Sequence, residues 1–291
     1  MKAYVFPGQG SQFPGMGSQL YKSSEDAKKL FELANSILGF DICQIMFTGS
    51  EEELKKTNVT QPAIYVHSTI LSMCMNISPD MVAGHSLGEF SALVAAQSIS
   101  FEDGLKLVIK RAEAMQQACQ TCDSTMAAII GLNVETIEEY CQNAKGIVVP
   151  ANYNSKTQIV ISGERKTLEK ACQELSNLGA KKTIILPVGG AFHSPIMNPA
   201  KKTLKTAIDN TEFKKPICPI YQNVSANPSM NPEKIKFHLI EQLTAPVKWY
   251  QTIEKMIQDG ALKFVEIGPK NVLTGLNRRI NRDIESIKGT F

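Results

Sequence analysis

Gly84-His85-Ser86-Leu87-Gly88 is the stretch on which the reading of this chain turns. This G-x-S-x-G run follows the short apolar segment Met81-Val82-Ala83 and precedes a helix-forming run, Glu89 to Ala96. Strand, tight glycine turn and helix form the setting of a nucleophile elbow. The glycines let the backbone reverse where side chains would block it. The serine is then held out at the sheet edge, and the following helix aims its first N–H groups at the same space. The stretch predicts an α/β fold with a parallel sheet, and it makes Ser86 the candidate nucleophile.

Working outward, Ala3–Phe6 reads as a buried strand, cut by Pro7 and the loop Gly8-Gln9-Gly10-Ser11-Gln12. Residues 24–38 place Ala27, Leu30, Phe31, Ala34 and Leu38 at helical spacing, with Gly39 as the stop. A helix is predicted over Gln61–Met75, with Pro62 at an early position where its missing N–H costs nothing. Phe101–Ala118 is apolar at Leu105, Val108, Ala112 and Met115. From Thr125 the texture changes. Strand 126–130, helix 134–143, strands 147–149 and 158–163, helix 164–178 and strand 182–188 follow in turn. This βαββαβ order is the ferredoxin-like pattern. It predicts a small domain at 125–190 inserted into a large domain made of 1–124 and 191–291. The large domain then continues through helix 195–209, a strand near 218–223, helices 232–243 and 247–259, strand 263–267 and helix 272–280.

Composition narrows the function classes. The chain has 291 residues, 43% hydrophobic and 20% charged, enough for a sizeable core. A net charge of +3 is too mild for a nucleic-acid binder, and no dense basic run is interleaved with aromatics. It is compatible with an acidic partner or an anionic substrate and demands neither. Seven cysteines are an odd number, and Cys119-Gln-Thr-Cys122 is the one C-x-x-C, with no second to complete a zinc site. Free thiols and no metal are the expectation. The apolar run at Met1–Phe6 is too short for a signal peptide, and no segment approaches about 18 uninterrupted apolar residues. A cytoplasmic protein without membrane contact is expected.

A serine hydroxyl needs an adjacent base. Four histidines make elimination possible. His85 is the neighbour of Ser86, where side chains diverge. His67 and His238 fall on helices and read as structural. His193, in Gly189-Gly190-Ala191-Phe192-His193-Ser194-Pro195, lies in a loop just after a strand, where catalytic groups are usually presented. It is the candidate base. A carboxylate to orient it is not evident, because the acids between Ser86 and His193 fall mostly on helix faces of the small domain. Read by residues alone, Gly8–Gln12 is a plain turn and Arg111 an ordinary helix-surface arginine.

Several segments carry a resemblance. They are Phe6-Pro7-Gly8-Gln9-Gly10-Ser11-Gln12, Thr60-Gln61-Pro62-Ala63-Ile64, Gly84-His85-Ser86-Leu87-Gly88-Glu89 and Gly190-Ala191-Phe192-His193-Ser194-Pro195. Near the end come Pro246-Val247-Lys248-Trp249 and Glu266-Ile267-Gly268-Pro269. Together, and in this order, they resemble the malonyl-CoA:acyl-carrier-protein transacylase family of dissociated fatty-acid synthesis, which includes the acyltransferase domains of polyketide synthases. The resemblance spans essentially the whole chain. It implies an α/β-hydrolase-like core with the ferredoxin-like insertion.

The resemblance also implies roles. Ser86 is the nucleophile and His193 the base. The backbone carbonyl of Gln242 is the third member, and the N–H groups of Gln9 and Leu87 form the oxyanion hole. Arg111 holds the free malonyl carboxylate, a task its planar fork suits. Gln61 and Asn154 line the site. Phe192 stands where the family selects malonyl over branched acyl groups.

The implied substrates are malonyl-CoA and the phosphopantetheine thiol of acyl carrier protein, with no cofactor and a monomeric enzyme. Lys181, Lys182, Lys201 and Lys202 are candidates for a basic docking surface. A free-standing polyketide acyltransferase, a serine thioesterase or hydrolase, and a non-catalytic carrier-binding scaffold are the rival readings. The C-x-x-C at 119–122 departs from a stretch that often holds proline and glycine in the family.

Overall fold

The computed structural model describes all 291 residues. Ten strands form two sheets. They are β1 (Lys2–Phe6), β2 (Met81–Gly84), β3 (Ser124–Ile130), β4 (Val148–Ser155), β5 (Gln158–Glu164), β6 (Lys182–Ile185), β7 (Ile220–Tyr221), β8 (Pro228–Ser229), β9 (Lys263–Glu266) and β10 (Glu285–Lys288).

The first sheet has the order β10-β9-β1-β2-β7-β8 and is parallel except for β8. Its central strands are apolar on both faces, as a sheet covered on both sides requires. Ala3, Val5, Met81, Ala83 and Phe264 pack on Trp249, Ile253 and Met256 of helix Trp249–Gln258. Alternate residues Tyr4, Phe6, Val82 and Val265 turn the other way, into a cluster under helices Thr57–Cys74, Gly88–Ala95 and Phe101–Cys119. The loops after β1, β2 and β9 all leave from the carboxyl edge of this sheet, the usual place for a ligand crevice in open α/β sheets. No single helix is long and apolar enough to cross a membrane.

The second sheet, β4-β5-β3-β6, is antiparallel throughout. Helices Val134–Asn143 and Arg165–Asn177 cover one face, packing Ile137, Leu168, Ala171 and Leu175 on Ala127, Ile129, Ile159 and Ile161. The other face, with Met126, Ala128 and Val160, turns toward the first sheet. The order matches the ferredoxin-like arrangement expected of βαββαβ.

Local differences from the expectations have physical causes. The helix expected from Gln61 starts at Thr57, so Pro62 lies inside it and not in its first turn. The Thr60 hydroxyl donates to the carbonyls of Leu54 and Lys56, joining the helix start to the turn before it. β4 runs to Ser155 and not to 149, because Pro150 and three polar residues disguise a bulged strand. Its Ala151 and Tyr153 pair with Val247 (Val247 N to Ala151 O 2.8 Å, Tyr153 N to Val247 O 2.9 Å), which ties the two sheets together. β6 stops at Ile185, three residues short of the expected end. Residues 195–209 open as a 3-10 turn, Pro195–Met197, before the α-helix Asn198–Asp209. The short helices Ser18–Ser23, Ile42–Thr48 and Glu51–Lys55 and strand β10 are too brief for a periodic signal.

Candidate active site

The turn after β2 is built as its glycines require. A Cβ on Gly84 would overlap the backbone of Gly88 and Glu89, and one on Gly88 would overlap the Phe6 carbonyl of β1. Between them Ser86 sits at φ +53°, the left-handed region that a side chain enters only at a cost. His193 has φ +58°. Two strained residues therefore face each other, and Ser86 Oγ lies 2.8 Å from His193 Nε2.

The proton arrangement follows from the partners. His193 Nδ1 is 2.8 Å from the carbonyl oxygen of Gln242, which can only accept, so Nδ1 carries the proton. Nε2 is then the lone pair that faces the serine O–H. The Gln242 carbonyl is free for this because it caps the C-terminus of helix Pro232–Glu241, where carbonyls lack intrahelical partners. Burial, with the Arg111 cation adding to it, pushes the His193 pKa down to about 3. The ring is neutral at physiological pH, the state a base requires.

Arg111, near the middle of helix Phe101–Cys119, is only 1% exposed. Its Nη1 donates to Gln61 Oε1 (2.7 Å), and its Nη2 to Gln242 Oε1 (3.1 Å) and Ser86 Oγ (3.0 Å). The Phe90 ring lies 5.8 Å from the guanidinium carbon, and Nε has no partner. Burial lowers the Arg111 pKa to about 10, which still leaves a cation at neutral pH. The nearby carboxyl, Glu89, is pushed up to about 8 by burial, against the pull of the Arg111 cation, and makes no direct salt bridge to it. A buried cation without a paired anion is an electrostatic request for an anionic ligand.

Ser86, His193 and Arg111 open onto one cleft of about 470 Å³ between the two sheets. Gln9 and Leu87 line it too, and neither of their backbone N–H groups has an acceptor in the protein. The loop holding Gln9 lies against the elbow because Gly8 has no side chain; a Cβ there would strike the His85 carbonyl. Asn154 and Phe192 line the cleft, and Asn154 Oδ1 meets His85 Nε2 at 2.9 Å. Gln61 does not reach the cleft. It is fully buried behind Arg111, with Nε2 on the Met115 sulfur.

Nor do Lys181, Lys182, Lys201 and Lys202 line the cleft, and Lys201 is paired with Glu241 at 2.6 Å. The exposed lysines on its wall are Lys55 and Lys270. Cys119 packs its sulfur against Gly190, just before the His193 loop, with a thiol pushed up to about 11 by burial. All seven cysteines are free.

Two residues beside the elbow escape sequence reasoning. Asn223, fully buried after β7, accepts from Ser86 N (2.7 Å) and donates to the Gly84 carbonyl (2.6 Å). Glu89 accepts the backbone N–H of Asn223. No spacing signal marks Tyr221-Gln222-Asn223 as functional. The side chain of Gln242 is a third omission: its Nε2 donates to the Ser86 carbonyl at 3.0 Å.

A serine hydroxyl facing a neutral imidazole, unclaimed amide donors and a buried cation share one cleft, an arrangement of the kind that acyl-group chemistry uses. Comparison with known proteins narrows the class. Residues 3–288 match the acyl transferase domain family, and the chain belongs to that family. It is 39% identical over 287 residues to the malonyl CoA-acyl carrier protein transacylase of Staphylococcus aureus (strain COL), covering 97% of this chain and 93% of that one. Identity to the protein of the same name from Bacillus subtilis (strain 168) is 42% over 291 residues, with coverage of 98% and 92%.

Among solved structures, the malonyl CoA-acyl carrier protein transacylase from Coxiella burnetii superposes with a TM-score of 0.96 at 38% identity, covering 99% of this chain and 93% of that one. A malonyl-transacylase in complex with a type II polyketide acyl-carrier protein superposes equally well, at 37% identity and coverage of 99% and 95%.

Proposed function

We propose that the chain transfers the malonyl group of malonyl-CoA to the phosphopantetheine thiol of acyl carrier protein, in fatty-acid biosynthesis, through a malonyl ester of Ser86. The observation that carries this reading is the convergence on one hydroxyl: His193 Nε2 at 2.8 Å and Arg111 Nη2 at 3.0 Å from Ser86 Oγ.

The malonyl carboxylate displaces no anion to reach Arg111, and it supplies the charge that the guanidinium lacks. His193 takes the serine proton as Oγ attacks the thioester carbonyl. The oxyanion is received by the N–H groups of Leu87 and Gln9. The tetrahedral intermediate collapses, the carbon–sulfur bond breaks, and His193 returns the proton to the CoA thiolate. CoA leaves and the carrier thiol enters. The same steps then run in reverse, a ping-pong cycle. Each step moves one proton between serine, imidazole and thiol, chemistry that calls for no cofactor.

Gln242 orients His193 through its carbonyl and Arg111 through its side chain. Gln61 holds Arg111 from behind. Asn154 and the exposed Lys55 and Lys270 offer amide and cationic contacts to the pantetheine arm and its phosphates. Phe192, beside His193, crowds the α-carbon; a methyl there is worth only about 1–3 kcal/mol, so exclusion of methylmalonyl is partial. Residues 125–190 act as a small domain that walls the cleft against the body made of 1–124 and 191–291. The enzyme works as a cytoplasmic monomer.

Intact-protein mass spectrometry tests the reading. Mixing with malonyl-CoA gives a malonylated protein that returns to its starting mass when holo-acyl carrier protein is added, and Ser86→Ala gives no adduct. An adduct surviving in Ser86→Ala removes the nucleophile. Rapid CoA release without any carrier identifies a hydrolase instead.

A further inference from the structure

Ser86 holds a left-handed backbone conformation, which a non-glycine residue keeps only where its neighbours over-determine it. The glycines on either side permit the turn, but they do not select it. Something must hold the serine there, and the hydrogen bonds around it show what does.

Three pieces of the elbow are gripped by one residue. Asn223 Nδ2 donates to the carbonyl of Gly84, the last residue of β2. Asn223 Oδ1 accepts the N–H of Ser86 itself. The backbone N–H of Asn223 donates to Glu89 Oε1, in the first turn of the following helix. Strand end, nucleophile and helix start are thus tied to a single buried point just past the end of the neighbouring strand β7. The amide orientation is forced, because the Ser86 N–H can only donate and the Gly84 carbonyl can only accept. The groups facing the Glu89 carboxyl, besides Asn223, are Arg111, Gln242 and Gln222.

We infer that Glu89 and Asn223 form a positioning clamp for the acylation step, resting on the reading of Ser86 as nucleophile. The clamp keeps Ser86 Oγ in line with His193 Nε2 and keeps the N–H of the next residue, Leu87, turned into the cleft. Neither residue lines the cleft, so both act through the elbow. Glu89 needs only an acceptor oxygen to do this, not a charge.

The experiment follows the acylation half-reaction by quenched-flow mass spectrometry and, separately, the rate at which a fluorophosphonate labels Ser86. The fluorophosphonate has no carboxylate for Arg111 to hold. Asn223→Ala is expected to slow acylation at saturating malonyl-CoA about a hundredfold, the scale of a small misplacement of reacting groups, with the half-saturating concentration unchanged. Fluorophosphonate labelling slows in parallel. Glu89→Ala behaves likewise, and Glu89→Gln, which keeps the acceptor, restores most of the lost rate at neutral pH.

A folded Asn223→Ala that acylates at the wild-type rate overturns the clamp, as does a loss confined to the half-saturating concentration. If Asn223→Ala does not fold, the Glu89 pair decides: equal rates in Glu89→Ala and Glu89→Gln overturn it. A wild-type chain that takes fluorophosphonate but no malonyl group defeats the proposed function and leaves the clamp still measurable.

Discussion

Replacing Arg111 by alanine separates malonyl recognition from acyl transfer as such. The guanidinium is 1% exposed and forms no salt bridge within the protein, so a carboxylate bound beside it faces a buried cation as its one direct counter-charge. Removing one partner of such a pair costs about 3–5 kcal/mol, because the other charge stays buried and alone. At about 1.4 kcal/mol per factor of ten, acylation by malonyl-CoA slows about a hundredfold to a few thousandfold. Acetyl-CoA has no carboxylate and does not meet this penalty.

The assay is the acylation rate of the purified variant with each thioester, read as the mass shift of the intact protein. The malonyl-to-acetyl ratio of kcat/KM falls by at least about a hundredfold, and Arg111→Lys recovers only part because a lysine lacks the fork. The variant also strands Gln61 Oε1 and Gln242 Oε1, so its thermal unfolding is recorded beside the rates. A folded Arg111→Ala with an unchanged malonyl-to-acetyl ratio would refute the assignment.

Three further outcomes are expected. His193→Ala slows the formation of the malonyl adduct by at least about a hundredfold, the lower end of what a positioned general base supplies; an unaltered adduct rate under single turnover rules His193 out as the base. Glu89 sets an alkaline limit. Its carboxyl is held up to about 8, so it is neutral below that pH and negative above it, where it competes with malonyl for Arg111. Wild-type kcat/KM for malonyl-CoA therefore declines above about pH 8, and Glu89→Gln shows no such decline; identical profiles for the two proteins contradict this. His193 shapes acid stability. Its folded pKa, about 3, lies below the ordinary 6.5, so its contribution is full above pH 6.5 and is lost as pH falls from there toward 3. Denaturant melts of wild type and His193→Gln converge as pH is lowered through that window, and parallel curves defeat the account.

The elbow was legible because its signal is local. An apolar strand, two glycines around a serine and a helix-forming run lie within sixteen residues, and the observed strand and helix match them within a residue. The βαββαβ segment was legible for the same reason, through alternating apolar periods. β4 was misread where the period breaks, at Pro150 and the bulges that follow, because a bulge shifts which side chains face the core. The short helices between residues 18 and 55 give less than two turns of periodicity each, too little to register.

Sequence by itself determined the class of fold, and it marked Ser86 as the candidate nucleophile and, through four histidines and one loop, His193 as the candidate base. It could not decide which residues meet at the serine. Arg111, Asn223 and Gln242 lie 25, 137 and 156 residues from Ser86, and each reaches it only because the strands and helices that carry them pack at one edge of the parallel sheet. The same holds for ionisation. An arginine on a helix is ordinarily a solvated cation and a glutamate a solvated anion, and burial is what leaves Arg111 a cation with only neutral hydrogen-bond partners and raises the Glu89 carboxyl to about 8. Desolvation and long-range hydrogen bonding are properties of the packed molecule, and no spacing along the chain encodes them.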